Sequence, residues 1–363
     1  MARLGDICEI LDFKRVPVTA SNRRRGIYPY YGANGIQDYV DDYIFDDELV
    51  LLAEDGGHFG SKDKPIAYRV SGKCWVNNHA HVLKPKDAIN VDYLCYSLMF
   101  RDVSNIVNGA TRQKLTQADM KEIDIPLVPL DKQQDVVKKL DHVFSLINLR
   151  KQQLIKLDEL VKSRFIEMFG DPESNTYGHP TKKLSEIASY WNGLTYKPED
   201  VQDQVTIVLR SSNIQNSQLD FEDTVRVACR IREKQYVQNN DILMCSRNGS
   251  AKLVGKVALI TNITEPMSFG AFMMIIRSDY YRYLMTYFQM DAFRNQIKTG
   301  ATTTINQITG NMLNQITLPV PDLNVVSQFS SFVEQVDKSK FEIQKSLEKL
   351  ETLKKALMQK YFG

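Results

Sequence analysis

From Asp131 to Met168 the sequence reads DKQQDVVKKLDHVFSLINLRKQQLIKLDELVKSRFIEM, without a glycine or a proline. Apolar side chains recur along it in alternating steps of four and three residues. These positions are Val136, Leu140, Val143, Ile147, Leu154, Leu157 and Val161, with Arg150 and Arg164 in the same phase. Spacing of this kind keeps one narrow apolar stripe on a helix and is typical of a coiled-coil seam. The stretch therefore predicts a long helix that packs along a partner helix.

The same pattern returns near the end of the chain. Its seam positions are Phe329, Val333, Val336, Ile343, Leu347, Leu350 and Leu357, with Lys340 and Lys354 in phase. If closed pseudo-twofold symmetry relates the two segments, the helices are antiparallel. We expect Asp131 or Asn324 to cap the first turns and Gly170 to end the first helix. The alternative is that each helix packs only on its own globular domain.

An internal repeat precedes and includes these helices. Four pairs of similar segments follow one another in the same order, at a nearly constant separation. They are RLGDICEI and KLSEIASY (from Arg3 and Lys183), DELVLLAEDGG and NDILMCSRNGS (from Asp47 and Asn240), DYLCYSLMF and RYLMTYFQM (from Asp92 and Arg282), and NGATRQKL and TGATTTI (from Asn108 and Thr299). The separation is far longer than the roughly 20–50 residues of a solenoid repeat. We interpret it as two homologous units.

Each unit combines a globular part with one long helix. Short runs of branched residues such as Val205–Leu209, bounded by turn formers, are typical of strands, whereas Tyr93–Phe100 is more helix-like. The sequence therefore predicts an α+β fold with two similar globular domains separated by two long antiparallel coiled-coil helices. The predicted boundaries are 1–130, 131–170, 171–322 and 323–363.

Composition limits the class of protein. The 363 residues carry a formal net charge of only +2, so any contact with DNA must come from local clusters of charge. The five cysteines are scattered and form no Cys-x-x-Cys pair, which favours reduced thiols over a disulfide framework. No apolar run approaches the ~18 residues that span a bilayer, and Asp6, Glu9 and Asp12 interrupt any signal-peptide core. We expect a soluble intracellular protein.

Two similar but non-identical domains on a helical spacer suit a bipartite linear target. Duplex DNA is such a target, because its grooves return to the same face about every 34 Å. The domains differ more than the helix seams do, so we expect the two half-sites to differ as well.

Short motifs recur at the junctions between the globular parts and the long helices. The first copy contains Gly109, Thr111, Ile125-Pro126, Pro129-Leu130 and Gln133, and the second contains Gly300, Thr302, Leu318-Pro319 and Pro321. A further run appears as Asn240-Asp241-Ile242-Leu243, Arg247, Gly249 and Gly255-Lys256, of which the first copy keeps Gly57 and Gly60. Over essentially its whole length the chain resembles the specificity (S) subunit of type I restriction–modification enzymes. It departs from that pattern at Lys132, at Val128 and in the stretch DLNVVSQ from Asp322.

The resemblance implies a function and a set of partners. It implies that the globular domains are target-recognition domains, that the chain has no catalytic centre and no cofactor or metal of its own, and that it reads an asymmetric bipartite site in double-stranded DNA. Two methyltransferase (M) subunits using S-adenosylmethionine would dock on the helices, and restriction (R) subunits using ATP and magnesium would join them. The location would be the cytoplasm of a bacterium or archaeon, with no membrane contact.

Polar and cationic side chains near glycines are the candidate DNA contacts, since arginine suits guanine, asparagine suits adenine, and hydroxyls and lysines suit phosphates. In the first domain they are Arg23, Arg24, Arg25, Lys62, Lys64, Asn77, Asn78, His79, Arg112 and Lys114. In the second they are Arg210, Ser212, Asn213, Arg247, Asn248, Lys252, Lys256, Thr302, Thr303 and Thr304. Solvated loop charge and plain turn chemistry, as at Ser211-Ser212-Asn213, are the alternative explanations. Cys74, His79 and His81 match no zinc spacing.

Two other functions remain open. A coiled-coil adaptor that binds only proteins would share the helices. An enzyme of DNA modification would need an unrecognised active site, because the sequence contains no NPPY-type motif, no Walker sequence and no glycine-rich cofactor loop after a strand.

Overall fold

The computed structural model describes residues 1–109, 113–298 and 307–363, without the side chains of Gln204 and Lys298. The chain forms two compact units, one from Met1–Gln152 with Gln344–Gly363 and the other from Gln153–Ile343. Each unit therefore contains one globular domain and a part of both long helices. The four-segment division made from the sequence stays a prediction.

The first domain is built on a six-stranded sheet. Its strands are β1 (Ala2–Arg3), β2 (Cys8–Ile10), β3 (Arg25–Gly32), β4 (Gly35–Val40), β5 (Phe45–Ala53), β6 (Ala67–Val76), β7 (Ala80–Pro85) and β8 (Asp124–Ile125), and its helices are α1 (Leu4–Ile7), α2 (Val91–Met99) and α3 (Gln117–Lys121). The sheet order is β2-β7-β5-β6-β3-β4, while β1 and β8 form a separate antiparallel pair. Within the sheet β3 and β6 are parallel and the other pairs are antiparallel.

Apolar side chains on both faces of β5 hold this sheet between two cores. Val50 and Leu52 belong to the cluster that contains α2, whereas Leu49 and Leu51 belong to the cluster on the opposite face. Because successive strand side chains point to opposite faces, the run LVLL fills both cores at once.

The first long helix, α4 (Leu130–Phe169), follows directly. Near its start Gln133 is fully buried. Its side-chain nitrogen donates to the carbonyls of Ala88 at 3.0 Å and Val128 at 2.8 Å, and its oxygen accepts from the N–H of Asn90 at 2.8 Å. A residue that carried the family resemblance is therefore a clamp between the helix and the loop before α2.

The second domain contains shorter strands and more helices. Its strands are β9 (Thr181–Lys183), β10 (Ser189–Asn192), β11 (Val201–Leu209), β12 (Ile214–Gln215), β13 (Gln218–Leu219), β14 (Val225–Val227), β15 (Ile242–Cys245), β16 (Val257–Leu259), β17 (Met267–Phe269), β18 (Met273–Arg277) and β19 (Thr317–Pro319). Its helices are α5 (Leu184–Ile187), α6 (Tyr281–Tyr287), α7 (Asp291–Lys298) and α8 (Gly310–Gln315), followed by the second long helix, α9 (Leu323–Phe362).

The two domains share one topology. The order β10-β18-β15-β16 repeats β2-β7-β5-β6, and β17-β11-β14 repeats β6-β3-β4, including its one parallel pair. The pair β9 and β19 repeats β1 and β8. The long strand β6 is thus represented in the second domain by two short strands, β16 and β17. The predicted α+β fold with an internal repeat is confirmed.

The long helices pair antiparallel within each unit. In the first unit Lys354 Nζ lies 5.8 Å from the ring centroid of Phe144, and Arg150 donates to Ser346 Oγ at 3.2 Å. Partners therefore move backwards along α9 as the chain advances along α4.

In the second unit Lys340 hydrogen-bonds to Asp158, and the rings of Phe165 and Phe329 lie 5.8 Å apart between centroids. The same antiparallel sense holds there.

Burial along the helices follows the predicted seam. The buried seam residues are Val136, Leu140, Val143, Ile147, Phe329, Val333, Val336 and Leu347, and the half-buried ones are Leu154, Leu157, Val161, Ile343, Leu350 and Leu357. Val136 and Leu140 also belong to the core of the first domain, and Phe329 and Val333 to that of the second. The parts of the long helices in each unit thus pack on the globular core of that unit as well as on each other.

The helix ends differ in part from the expected caps. Asp322 Oδ1 accepts from the N–H of Asn324 at 2.8 Å, so Asp322 caps α9 and the prediction for Asn324 is wrong. Asp131 lies inside α4, after a start at Leu130, so it is not the cap either. Gly170 adopts a φ of 76° just after α4, which favours glycine and confirms it as the terminator. Among the described residues no helix has the length and apolarity to cross a membrane.

Candidate nucleic-acid interface

The same loops meet at one end of the sheet in both domains. In the first, the N–H of Glu54 after β5 donates to the carbonyl of His79 at 2.9 Å, and the N–H of Leu115 donates to the carbonyl of Glu54 at 2.7 Å. In the second, Ser246 after β15 donates to Phe272 at 2.9 Å, and Ile308 donates to Ser246 at 2.7 Å. These matching hydrogen bonds place equivalent loops at an equivalent location.

The loop after the parallel strand joins the same end. Asn34 Nδ2 donates to the carbonyl of Gly56 at 3.1 Å in the first domain. Asn248 Nδ2 donates to Ser211 Oγ at 3.1 Å in the second. We call these converging loops the apex of each domain. They comprise 32–35, 54–60, 77–79 and 107–109 with 113–115 in the first domain, and 210–213, 246–250, 270–272 and 307–308 in the second.

A buried charged cluster supports the apex of the first domain. His81 is 1% exposed, with Nδ1 at 2.6 Å from Asp12 Oδ2 and Nε2 at 2.9 Å from the carbonyl of Leu115. Glu54 accepts from Arg15 at 2.5 Å and lies 2.9 Å from Lys114 Nζ. These contacts connect β2, β5 and β7 to the loop that ends at Leu115.

Opposing effects set the pKa values in this cluster. Burial alone would raise the pKa of Asp12, but the His81 ring, the Val82 N–H and the Arg15 charge outweigh it and lower that pKa. Burial would likewise raise the pKa of Glu54, and its hydrogen bonds from Arg15 and Lys114 lower it instead. Both carboxylates are therefore stabilised in the charged form.

Asp12, Glu54 and His81 are also the described residues that come closest to a metal-ligand set, with ligand atoms within 4.8 Å of one another. Arg15 lies 3.5 Å from Asp12 and 2.5 Å from Glu54, so its guanidinium takes the place that a cation would need. The contacts fit a structural ion-pair network.

Two residues of the repeated motif NGATRQKL, Asn108 and Lys114, exchange two backbone hydrogen bonds, of 2.9 and 2.7 Å. Gly109 adopts a φ of 105°. That φ favours glycine, which explains its presence after Asn108. Lys114 is held by Glu54, and Arg112 lies outside the described residues.

A cleft of about 850 Å³ elsewhere in the first unit contains Lys62, together with Tyr96, Phe100, Lys354 and Phe362. Lys62 therefore lies beside the end of α9, in a cleft that adjoins the apex loops only at Gly60.

The apex of the second domain contains an open cleft of about 730 Å³. Tyr196, Arg210, Arg247, Asn248 and Phe272 line it. The Arg247 guanidinium carbon lies 5.3 Å from the ring centroid of Phe272, whose side chain is 59% exposed. Arginine, asparagine and aromatic side chains that meet in one cleft can bind base edges and stack on bases.

A family model described as the type I restriction modification DNA specificity domain matches residues 1–159 and 179–355. The chain belongs to this family. The two matches coincide with the two repeats, so each globular domain with its following helix is one specificity domain.

Individual relatives match parts of the chain. A type I restriction enzyme specificity subunit of Haemophilus influenzae is 41% identical over 39% of this chain and 37% of its own length. The EcoKI specificity subunit of Escherichia coli is 26% identical over 48% of this chain and 40% of its own. The chain spans less than half the length of these curated relatives.

Solved structures agree on the fold. The S subunit of a type I restriction–modification system from Mycoplasma genitalium superposes with a TM-score of 0.61 at 14% identity, over 99% of this chain and 95% of that one. A second structure, from a study of complex assembly in a type I restriction–modification system, gives 0.55 at 16% identity over 99% and 96%.

Several candidate residues in the first specificity domain lie away from its apex. Arg24 and Arg25 are exposed at the start of β3, about 23 Å along that strand from Gly32 at ~3.3 Å per residue. Arg23 packs on the Tyr30 ring at 4.2 Å and donates to the carbonyl of Val18 at 3.1 Å. The arginine trio is therefore not part of the apex.

Among the remaining candidates of this domain, Asn77 is 3% exposed, and its amide contacts Gln37 and the His79 N–H. Asn77 is thus a structural residue. Asn78 is exposed, and His79 pairs with Asp55. Lys64 is exposed at the distal part of the loop after β5.

In the second specificity domain the prediction for Asn213 needs correction. Its side chain is fully buried, accepts from the N–H of Arg210 at 2.8 Å and donates to the carbonyls of Asp220 at 2.8 Å and Asp223 at 2.9 Å. Turn chemistry therefore accounts for it.

Nearby, the hydroxyl of Ser212 is buried and has no hydrogen-bond partner among the described residues. Lys256 donates to the carbonyl of Ile214 at 3.1 Å, and Lys252 is exposed. Arg210 lies 2.8 Å from Asp223 at the edge of the cleft. Thr302, Thr303 and Thr304 lie outside the described residues.

Asp55 and Phe272, which lie in the apex loops, and Tyr196, which lines the cleft of the second domain, were not among the sequence candidates. An acidic or aromatic side chain carries no nucleic-acid signal by itself. The similar segments from Asp47 and Asn240 align Asp55 with Asn248. The correspondence of Asp55 with Arg247 comes from the hydrogen bonds and bridges of the structure.

Proposed function

We propose that this chain is a non-catalytic subunit that reads an asymmetric bipartite site in double-stranded DNA, one half through each specificity domain. The observation that carries the proposal is the shared apex. Equivalent loops converge in both domains, but their side chains differ, with Asp55 and His79 in the first and Arg247 and Phe272 in the second. A common scaffold with different contact residues suits two different half-sites.

The long helices are proposed to bind the partner subunits. Large apolar side chains are exposed on both helices, which supports a protein-binding role. They are Leu149, Ile155, Leu160, Ile166, Phe341 and Leu353, between 37% and 67% exposed. In this proposal two methyltransferase subunits dock there with S-adenosylmethionine, and restriction subunits with ATP and magnesium join the complex, in the cytoplasm of a prokaryote.

A domain exchange tests the proposal. Residues 171–321 are replaced by the equivalent domain of a relative, and the DNA of a host expressing the partner methyltransferase is sequenced for methylated sites. One half of the recognised sequence should change and the other should persist. If both halves change, the domains do not read independently.

The same exposed helix side chains favour a second candidate, a protein-binding adaptor without DNA binding. A gel-shift titration of the chain with its methyltransferase partner at two salt concentrations separates the two. Specific DNA binding that weakens steeply with salt indicates phosphate neutralisation. A complex that is insensitive to salt and ignores DNA would support the adaptor.

A further inference from the structure

Asp55 and Arg247 occupy the same position in the two apexes. Asp55 follows Glu54, and Arg247 follows Ser246; the backbone N–H of each preceding residue donates to the turn before the next strand of the sheet. Asp55 forms an antiparallel bridge with Lys114, and Arg247 forms one with Gln307. The common fold therefore presents a negative side chain in one domain where it presents a positive one in the other.

The neighbouring position differs in the same way. The carbonyl of His79 accepts a hydrogen bond of 2.9 Å from Glu54, the residue before Asp55. The carbonyl of Phe272 accepts one of 2.9 Å from Ser246, the residue before Arg247. His79 Nδ1 lies 2.8 Å from Asp55 Oδ1, whereas Phe272 lies under the Arg247 guanidinium. In each domain one side chain of the turn thus orients the charged one.

The orientation of Asp55 is reinforced from below. Glu54 forms ion pairs with Arg15 and Lys114, so the backbone that carries Asp55 is tied to the segment after β2 and to the loop that contains Lys114. A carboxylate has about four acceptor sites, so a contact with His79 does not prevent Asp55 from accepting hydrogen bonds from other donors. Its side chain is 16% exposed and that of His79 is 32% exposed, which leaves both reachable from solvent.

We infer that Asp55 and Arg247 are paired specificity determinants that read base edges of opposite chemistry. Asp55, oriented by His79, accepts a hydrogen bond from an exocyclic amine, cytosine N4 or adenine N6. Arg247, supported by Phe272, donates to the O6 and N7 acceptors of guanine. Arginine and guanine, and acidic side chains and the cytosine amine, are established complementary pairs. The inference rests on the proposed function and names the residue in each domain that distinguishes the half-sites.

The test uses the full chain with its methyltransferase partner and a library of duplexes randomised at each position of the recognised site. Asp55→Ala should relax selectivity at one position of one half-site, where the wild type requires an amine-bearing base. Arg247→Ala should relax selectivity for guanine at one position of the other half-site. Each loss is expected to be about 5- to 150-fold.

Asp87→Ala and Arg230→Ala are the matched controls. Asp87 and Arg230 are exposed residues of the same charge outside the apex loops, and their replacement should leave both half-sites unchanged. Thermal melting of every variant identifies one that fails to fold. If Asp55→Ala fails to fold, Asp55→Asn is used instead, and if Arg247→Ala fails to fold, Arg247→Lys is used. Each of these keeps the approximate size of the side chain but changes its hydrogen-bonding pattern.

The outcomes separate the inference from the proposed function. Suppose that the wild type shows a bipartite site. If Arg247→Ala weakens binding to all sequences equally, Arg247 contacts phosphate; if Asp55→Ala does so, Asp55 supports the loop without reading a base. Either result makes the inference wrong. Unchanged selectivity in either variant, or relaxation in both half-sites, also overturns it while the proposed function stands. A wild type without a bipartite site would contradict the proposed function itself.

Discussion

The hydroxyl of Tyr93 donates a hydrogen bond of 3.0 Å to the carbonyl oxygen of Pro126. The bond ties α2 to the segment that leads into α4. The second domain repeats it, with the Tyr283 hydroxyl 2.6 Å from the carbonyl oxygen of Pro319. Burial raises the pKa of both tyrosines, so each remains a hydrogen-bond donor across the neutral range. The same buried hydrogen bond therefore fixes the start of each long helix.

Removing either hydroxyl should destabilise its unit. Tyr93→Phe removes the donor to the half-buried Pro126 carbonyl, and Tyr283→Phe removes the donor to the buried Pro319 carbonyl. Each change should cost about 1–3 kcal/mol. Urea unfolding of the two variants measures the loss. Tyr39→Phe is the control, because Tyr39 is 48% exposed and its replacement should change the free energy of unfolding by less than ~0.5 kcal/mol. Equal stability of all three variants would show that the hydrogen bonds contribute nothing.

The Gln133 clamp should matter only to the first unit. Gln133→Ala removes one acceptor and two donated hydrogen bonds inside the core, and we expect a loss of about 1–3 kcal/mol. Hydrogen exchange should report the faster opening in α2 and the start of α4. The start of α9, where the buried apolar Val326 packs in the core of the second unit, should exchange as in the wild type. Uniform acceleration throughout the chain would contradict a local clamp.

The loss of stability on replacing a leucine of α4 should depend on how deeply that leucine is buried. Leu140 is fully buried between α4 and the first domain's core, so Leu140→Ala should cost about 2–5 kcal/mol. Leu149 lies on the same helix and is 50% exposed, so Leu149→Ala should change stability by less than ~0.5 kcal/mol. Chemical denaturation of the two leucine variants compares identical substitutions on one helix. Equal losses would mean that burial does not govern the seam.

Acid should weaken the first domain through Asp12 and Glu54. Their folded-state pKa values lie below the unfolded values of about 3.9 and 4.3, so their contribution is full above those values. It is lost as the pH falls through the folded pKa values. Melting temperature should therefore drop from about pH 5 downwards. Asp12→Asn with Glu54→Gln should be less stable at pH 7 and show a shallower acid dependence, and an unchanged slope would exclude this cluster as the cause.

Local periodicity explains why the helices could be predicted. The alternating spacing from Val136 to Val161 and from Phe329 to Leu357 depends only on the geometry of a helix, and the burial of these residues follows it. Gly170 was predicted for the same reason. The caps were not, because Asp322 acts through a side-chain contact two residues along, and several polar residues near the start could have made it.

The apex illustrates the opposite case. Arg210, Arg247 and Asn248 were candidates by residue type and they do meet in one cleft. Asn213 was also a candidate by residue type, but its side-chain amide is buried in a turn. Asp55 and Phe272 were not candidates by residue type, because the proposal for them depends on their contacts with His79 and Arg247. Which of these side chains reach the surface depends on strand register and on the loops that return to it.

The sequence by itself determined the duplication, the two long helices with their seams, and the family, because repeats, periods and motifs are written along the chain. Only the tertiary structure decided which residues share the apex of each domain. Hydrogen bonds between segments far apart in sequence place Asp55 and Arg247 at equivalent positions of the two domains. No local sequence pattern encodes that correspondence. The same chain order thus presents a carboxylate in one apex and a guanidinium at the equivalent position of the other, because a common backbone fixes positions and leaves the side chains free to differ.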